Sequence, residues 1–334
     1  MKASLRMFLQ ILATAIVCCG LSRGQVNSKP GVQEMLKWFP ADTDTIIVAN
    51  GPFPLPDLQK PEGQAEHPPQ DAVPSYEQLQ REFEIKAITL WAQNNTVIAQ
   101  RLRGERVLLA VQGYRYPEPE RLVERCAVIV FEGGALYKLI DASAEPPLMT
   151  EEIDGLEVFT DKSEDGARTL AVTQPRPDVL IISESFSFLK EVQARMNGEQ
   201  GDRALPDTLP EWRHVDTSAT FWGVRRFPRW NAKPNQQPGD DDDDEDEFPA
   251  NLSAVTFSFG MHDDRAGIMT FIPTDEKGRN YLWQAFQEDH GKSHVESKKV
   301  EPDAIQASFF LVNQKTFDSF SELIESLFGE EDAD

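Results

Sequence analysis

Three histidines and one aspartate of this chain could together hold a catalytic metal ion. His290 and His294 are four residues apart, a spacing that puts both side chains on one face of a helix. His262 and Asp263 add an imidazole and a carboxylate from an earlier segment. Zinc accepts such ligands and activates a bound water, so the set would suit a metal-assisted hydrolase. Gly291 lies between the two later histidines, and it favours a surface turn as the alternative.

Aromatic and basic residues are concentrated in segment 212–230. Trp212, Trp222 and Trp230 stand close to several arginines, including Arg225, and such a set could form a groove that stacks a sugar or binds a peptide. Successive side chains of a strand point to opposite faces, so Phe221 and Trp222 cannot share one face. The sequence therefore favours core or interface packing for part of the set, with a binding groove as the alternative.

Residues 240–247 are eight consecutive acidic residues. Close like charges cannot all be buried, so we expect a disordered, solvated loop over 231–248. Carboxylate oxygens are calcium ligands, but the run has Glu245 where an EF-hand loop needs glycine and Asn251 where it needs glutamate. The run therefore predicts weak divalent cation binding at most, and no cofactor is predicted.

Several enzyme signatures are missing from the sequence. It has no G-x-x-x-x-G-K-[ST] phosphate loop, no G-x-G-x-x-G dinucleotide fingerprint and no H-E-x-x-H zinc motif. These absences count against nucleotide-dependent enzymes and thermolysin-like peptidases. A site assembled from scattered residues stays open.

The first residues have the pattern of an export signal. Lys2 and Arg6 form a basic start, and residues 7–21 form an apolar run shorter than the roughly 20 residues that a membrane span needs. We expect residues 1–24 to be removed and the mature protein to be periplasmic or secreted in a bacterium. A retained N-terminal anchor and a lipid anchor are the alternatives. No later stretch is long and apolar enough to predict a membrane span.

The net charge limits the classes of partner that are expected, and the cysteine content limits the possible disulfides. The formal net charge of −23 repels phosphates and anionic lipids, so nucleic acid is not predicted as a partner. Of the three cysteines, Cys18 and Cys19 lie in the expected signal, which leaves Cys126 and no internal disulfide. Cys126 begins an apolar run, and this pattern is typical of a buried, unreactive thiol.

Helices and strands must position these residues, and their order indicates a repeat. An aromatic residue precedes the Asp-Thr motif at Asp42 and Thr43, and a predicted strand follows it. The Asp-Thr motif at Asp216 and Thr217 is flanked in the same way. Two phrases that recur in order suggest an internal duplication. Helices are predicted at 32–38, 75–90, 135–140, 186–196, 280–287 and 317–327, and strands at 46–49, 107–111, 126–131, 156–160, 169–173, 179–183, 220–224, 254–259, 268–272 and 308–312.

Strands next to strands, with helices at intervals, predict an α+β fold. We expect two related lobes of mostly antiparallel sheet with packed helices, the product of a diverged internal duplication. The first lobe would span 31–200 and the second 217–329, joined by a connector at 201–216 and followed by an acidic tail at 330–334.

The export signal, the phrase PADTD at 40–44 before a strand, and the strand and helix of PRPDVLIISESFSFLKEV give the chain a resemblance to a family. It resembles exported bacterial proteins of unknown function. This resemblance implies an envelope location and a two-lobed α+β build, and it assigns no role to any residue.

Three functional hypotheses follow. The leading one is a non-enzymatic binding or scaffolding protein of the bacterial cell envelope, whose partner would be an envelope protein or ligand. The second is the metal-assisted hydrolase, and the third is a weak cation-binding module built on the acidic run.

Overall fold

A large antiparallel β-sheet dominates the structure. The computed structural model describes residues 30–54, 105–115, 123–132, 148–162, 168–227, 252–262, 265–288, 295–300 and 304–309. The chain divides into a short unit, Met1–Gly31, and a large unit, Val32–Asp334. All the elements below belong to the large unit.

Twelve strands are formed by the described residues. They are β1 (Thr45–Pro54), β2 (Arg106–Arg115), β3 (Glu124–Phe131), β4 (Met149–Ile153), β5 (Leu156–Lys162), β6 (Arg168–Arg176), β7 (Val179–Ser183), β8 (Phe221–Arg226), β9 (Leu252–His262), β10 (Arg265–Pro273), β11 (Val295–Val300) and β12 (Ala304–Phe309). They lie side by side in the order β11-β12-β10-β9-β8-β1-β2-β3-β7-β6-β5-β4. Each neighbouring pair is antiparallel.

The helices in the described ranges are few and short. They are α1 (Val32–Met35) with a 3₁₀ turn (Leu36–Trp38), α2 (Phe186–Met196), a 3₁₀ helix (Pro210–His214) and α3 (Glu276–Glu288). α2 confirms the helix predicted at 186–196, and its first turn is capped by the Ser185 hydroxyl, which accepts from the Phe188 N–H at 3.4 Å. α3 contains the helix predicted at 280–287.

The predicted α+β fold of two lobes with packed helices is wrong. β1 and β8, each expected to lie in its own lobe, pair with each other from Thr45↔Arg225 to Ala49↔Phe221. In the described part of the chain the result is one continuous sheet with a few helices. Local pattern predicts a strand at β1 and another at β8, but it cannot tell that the two strands share a ladder.

Other sequence expectations lie outside the described residues. These are the signal 1–24, the helices at 75–90, 135–140 and 317–327, the acidic loop and the C-terminal tail. The predicted division at 201–216 stays a prediction. Residues 201–216 run from α2 to β8 and include the 3₁₀ helix Pro210–His214.

Both faces of the central strands are buried. In β1, Ile46 and Val48 join a core under α1 and α2, whereas Ile47 packs on the opposite face. We call the first of these the α2-side core, and its largest members are Trp38, Phe39, Phe188 and Trp222. Two further clusters cover the other face, one around Phe131 and Ile182 and one around Phe257 and Phe259. Burial on both faces explains the uninterrupted apolar runs of β3 and β7.

Cys126 of β3 lies in the α2-side core and is fully buried. Desolvation raises the pKa of its thiol far above the ordinary value of 9.0, against a smaller opposing effect of the hydrogen bond with Ser183. The thiol therefore stays protonated at neutral pH, as expected for a small buried hydrophobe.

Gly223→Ala is expected to destabilise the sheet where β1, β8 and β9 meet. A Cβ at Gly223 would lie 2.5 Å from Cζ of Phe257 and 2.7 Å from the carbonyl oxygen of Ile46, so ring and backbone must both shift. Overpacking of this kind lowers the free energy of unfolding by about 1–3 kcal/mol, measurable by urea denaturation. Gly31→Ala is the control, because its Cβ would meet nothing within 4 Å. Equal midpoints for the two variants would contradict this account.

Candidate functional site

The aromatic residues expected to line a groove belong largely to the core. Trp222 of β8 is fully buried, and its ring lies 5.9 Å from that of Trp212 at an interplanar angle of 65°. Trp212 is half-buried in the 3₁₀ helix, and its Nε1 donates to the carbonyl oxygen of Pro206 at 2.9 Å. The pair therefore fastens the 3₁₀ helix to the sheet.

Arg225 lies on the other face of the sheet from Trp222. Trp222 and Val224 contribute to the α2-side core, and the alternation of a strand turns Arg225 away from it. The guanidinium carbon of Arg225 lies 4.9 Å from the centre of the Phe227 ring. Trp230 lies outside the described residues. The structure therefore does not bring Trp222 and Arg225 together in one groove.

The residues predicted to bind a metal are mostly outside the described ranges. His262 is the last residue of β9, and Asp263, His290 and His294 fall in undescribed segments, as does the run at 240–247. Among the residues that can be described, no group of three or more His, Cys, Asp and Glu side chains could hold a metal ion. The metal-assisted hydrolase and the cation-binding module stay predictions.

The second Asp-Thr phrase closes a turn that leads into β8. The Asp216 carboxylate accepts from the backbone N–H of Ser218 at 2.9 Å and from its hydroxyl at 2.6 Å. The Asp216 N–H in turn donates to the Ser258 hydroxyl at 2.8 Å. These bonds are typical of a turn at the entry to a strand.

His214, at the end of the 3₁₀ helix, has a pKa below its ordinary value of 6.5. Burial is the main cause, the neighbouring Arg213 adds to it, and Glu211 opposes both. The His214 carbonyl also accepts from the Thr256 hydroxyl at 3.3 Å, which ties the histidine to β9. The neutral form of the imidazole is therefore the form that the fold stabilises.

His214→Gln is expected to flatten the pH dependence of stability. Because the folded pKa is depressed, the unfolded chain binds the proton more tightly, so the stabilisation is complete above pH 6.5 and is lost as pH falls through the folded pKa. The wild type should lose more stability than the variant between about pH 7.5 and about pH 5.5, measured by urea denaturation. Parallel pH profiles for the two proteins would contradict the assignment.

A buried arginine joins α2 to the sheet. The Arg115 side chain, only 10% exposed, contacts Asp42 at 3.3 Å, Glu124 at 3.7 Å and also Glu191 of α2. Its guanidinium carbon lies 4.0 Å from the centre of the Phe188 ring. A guanidinium surrounded in this way is engaged in holding structure together, and it is not available to a ligand.

Among the described residues β4 is the strand at one end of the sheet, and it is the most exposed of the strands whose burial is described throughout. Of its five residues, three are exposed and two half-buried, and Met149 is 42% exposed. β4 turns into β5 through Asp154 and Gly155, whose φ angles of +53° and +81° form a two-residue type I′ hairpin. We call this strand, from Met149 to Ile153, the β4 edge.

The β4 edge is held firmly in place. Ile153 and Leu156, which flank the turn, pack against the α2-side core. The Lys190 ammonium donates to the Asp154 carboxylate at 2.8 Å, and this bond lowers the pKa of Asp154. The hairpin is therefore anchored to α2 on one side and to the core beneath.

The register of the hairpin decides which groups of β4 point outward. In a two-residue hairpin the flanking pair, Ile153 and Leu156, exchanges backbone hydrogen bonds, and hydrogen-bonded and non-bonded pairs then alternate along the ladder. The backbone N–H and C=O groups of Thr150 and Glu152 thus face away from β5. On the same face of the sheet, Glu152 stands directly opposite Glu157, and both are exposed.

Sequence reasoning missed the β4 edge. It predicted the strand at 156–160 but not the strand before it, because segment 149–153 is largely polar. The available signal was the Asp-Gly pair with apolar residues on both sides, Ile153 and Leu156, a strong hairpin pattern.

Comparison with known proteins gives distant structural likeness alone. No family model matches the chain, and no curated protein matches it in sequence. Crystal form I of TP0453 is 10% identical with a TM-score of 0.47 over 86% of this chain and 96% of that chain. Crystal form IV has 10% identity and a TM-score of 0.46 over 91% and 98%. Among the described residues of this chain, no helix has the length and apolarity to cross a membrane.

Proposed function

We propose that this chain is an exported, non-enzymatic binding protein of the bacterial cell envelope, and that its partner binds as an added strand on the β4 edge. The observation that carries the proposal is the exposure of β4, the strand at one end of the sheet in the part of the chain that the structure describes. A partner in extended conformation would gain main-chain hydrogen bonds along β4, and its alternate side chains would contact the two faces. Export is supported by the basic start and apolar run of residues 1–24.

The anchoring of β4 favours binding because less conformational entropy is lost when the partner binds. An edge that is already ordered by the two-residue turn and by the packing of Ile153 and Leu156 does not have to be ordered when the partner arrives. The edge is also short and acidic, which protects such strands from indiscriminate aggregation.

Photo-crosslinking from β4 in living bacteria tests this function. A benzophenone amino acid at Met149 is expected to capture an envelope protein, and the same group at Tyr281 serves as control because Tyr281 is 41% exposed. Thr150→Pro should abolish the Met149 adduct, since proline removes an outward N–H while leaving the β4–β5 bonds intact. Equal adducts from Met149 and Tyr281, or adducts that persist in Thr150→Pro, would refute the proposal.

A further inference from the structure

We infer that the strand added to the β4 edge is basic, with a lysine or arginine opposite Glu152 and apolar residues beside Met149 and Ile153. This inference rests on the proposed function and names the chemistry of its partner. It follows from the charge and the register of the β4–β5 hairpin.

Two carboxylates face each other across this hairpin. Glu152 and Glu157 are direct cross-strand partners, and both side chains are exposed on the same face of the sheet. Like charges in this position destabilise a hairpin, and opposite charges stabilise it. A cation placed on the open side of Glu152 would offset the repulsion within the pair. The chain's net charge of −23 further favours the approach of a cationic segment.

The register of β4 sets the pattern of the partner. A strand running antiparallel to β4 would form a hydrogen-bonded pair with Glu152, whose backbone groups face outward, and another with Thr150. Partner side chains opposite Glu152 and Thr150 would lie on the face of the sheet that carries Glu152 and Glu157. The partner residues between these positions would lie on the other face of the sheet, beside Met149 and Ile153. Apolar residues that alternate with cationic ones fit both faces.

A second copy of this chain fits the edge less well. Antiparallel pairing of β4 with another β4 would add acidic side chains to an edge that already carries Glu152. β11, at the other end of the described sheet, has Lys298 and Lys299 in its sequence. Pairing of β4 with β11 of another copy is therefore the competing occupant that an experiment must separate.

Labelled model peptides test the inference on the full-length protein. The probe is the capped peptide VKVKVKV, compared with VTVTVTV and VEVEVEV by fluorescence polarisation at fixed ionic strength. Glu152→Lys is expected to weaken VKVKVKV binding about tenfold and to improve VEVEVEV binding. Thr150→Pro should weaken all binding at the edge. Glu199→Lys, which reverses an exposed charge after α2, is the matched control and should leave the affinity within about twofold.

Each outcome separates the charge inference from the strand-addition proposal. VTVTVTV or VEVEVEV binding as tightly as VKVKVKV, and lost in Thr150→Pro, would overturn the basic partner but leave strand addition intact. If VKVKVKV binds equally well to the wild type, Thr150→Pro and Glu152→Lys, the peptide is attracted to the acidic protein in general, and the inference is overturned. If no peptide binds, the inference of a basic partner is also overturned. The crosslinking experiment at Met149 then tests strand addition independently.

Analytical ultracentrifugation of the protein without peptide tests whether a second copy of the chain binds the β4 edge. We expect a monomer at the concentrations used for peptide binding. Self-association that both Thr150→Pro and Glu152→Lys abolish would replace the basic partner with a second copy and overturn the inference. Circular dichroism of each variant confirms that the sheet is retained, and Glu152→Lys keeps the test decisive if Thr150→Pro fails to fold.

Discussion

Trp222→Ala is expected to lower the free energy of unfolding by about 3–5 kcal/mol, the range for removing a large aromatic side chain from a core. Trp222 is fully buried at the centre of the sheet, in contact with the ring of Trp212 at a centroid distance of 5.9 Å. Its loss would open a cavity under the 3₁₀ helix and remove the partner of Trp212. Urea denaturation followed by far-ultraviolet circular dichroism measures the effect without depending on the deleted fluorophore.

Two variants control this experiment. Tyr281→Ala removes an aromatic ring that is 41% exposed, and should change stability by less than about 0.5 kcal/mol. Trp222→Phe keeps most of the apolar volume and should fall between Trp222→Ala and the wild type. If Trp222→Ala proves as stable as Tyr281→Ala, then Trp222 is not a core residue and the groove interpretation regains support.

Local pattern predicted most of the central elements. Apolar runs at 126–131 and 179–183 coincide with β3 and β7, and the spacing of Phe186, Leu189 and Val192 coincides with α2. These segments are strongly patterned and buried, so their own sequences determine them. The pairing of β1 with β8 is different, because a ladder between residues more than 170 positions apart leaves no trace in either strand.

The edges of the sheet were the hardest part to predict. β4 has a burial pattern that is mostly exposed, so few of its residues carry the apolar signal on which strand prediction depends. Its position at the end of the sheet becomes visible only when the strand order is known. An edge strand that is largely polar resembles a loop in sequence.

The groove predicted around the tryptophans illustrates the reverse case. Trp212, Trp222 and Arg225 are close in sequence, but a strand separates neighbours by face, and Trp222 and Arg225 are an odd number of residues apart. Strand alternation was enough to predict that the set would divide. It could not predict which residue would face the α2-side core, because that depends on where α2 and the 3₁₀ helix pack.

Arg115→Ala is expected to destabilise the protein by about 2–3 kcal/mol, because the buried guanidinium makes several charge-assisted contacts that water replaces only at the more exposed carboxylates. Arg115 is 10% exposed and contacts Asp42, Glu124 and Glu191, which come from three different parts of the chain. Without the guanidinium these carboxylates repel one another, and Phe188 loses its cation–π contact. Urea denaturation at neutral pH measures the loss.

Arg106→Ala provides a control on the same strand. Arg106 and Glu132 form an ion pair at 3.1 Å, but both side chains are about half exposed, so its loss should lower stability by less than about 1 kcal/mol. Arg115→Met keeps the aliphatic packing against Phe188 and isolates the electrostatic part of the effect. If Arg115→Ala and Arg106→Ala are equally mild, solvent screens the network around Arg115 as well. α2 would then be held against the sheet mainly by the apolar packing of Phe188, Leu189 and Val192.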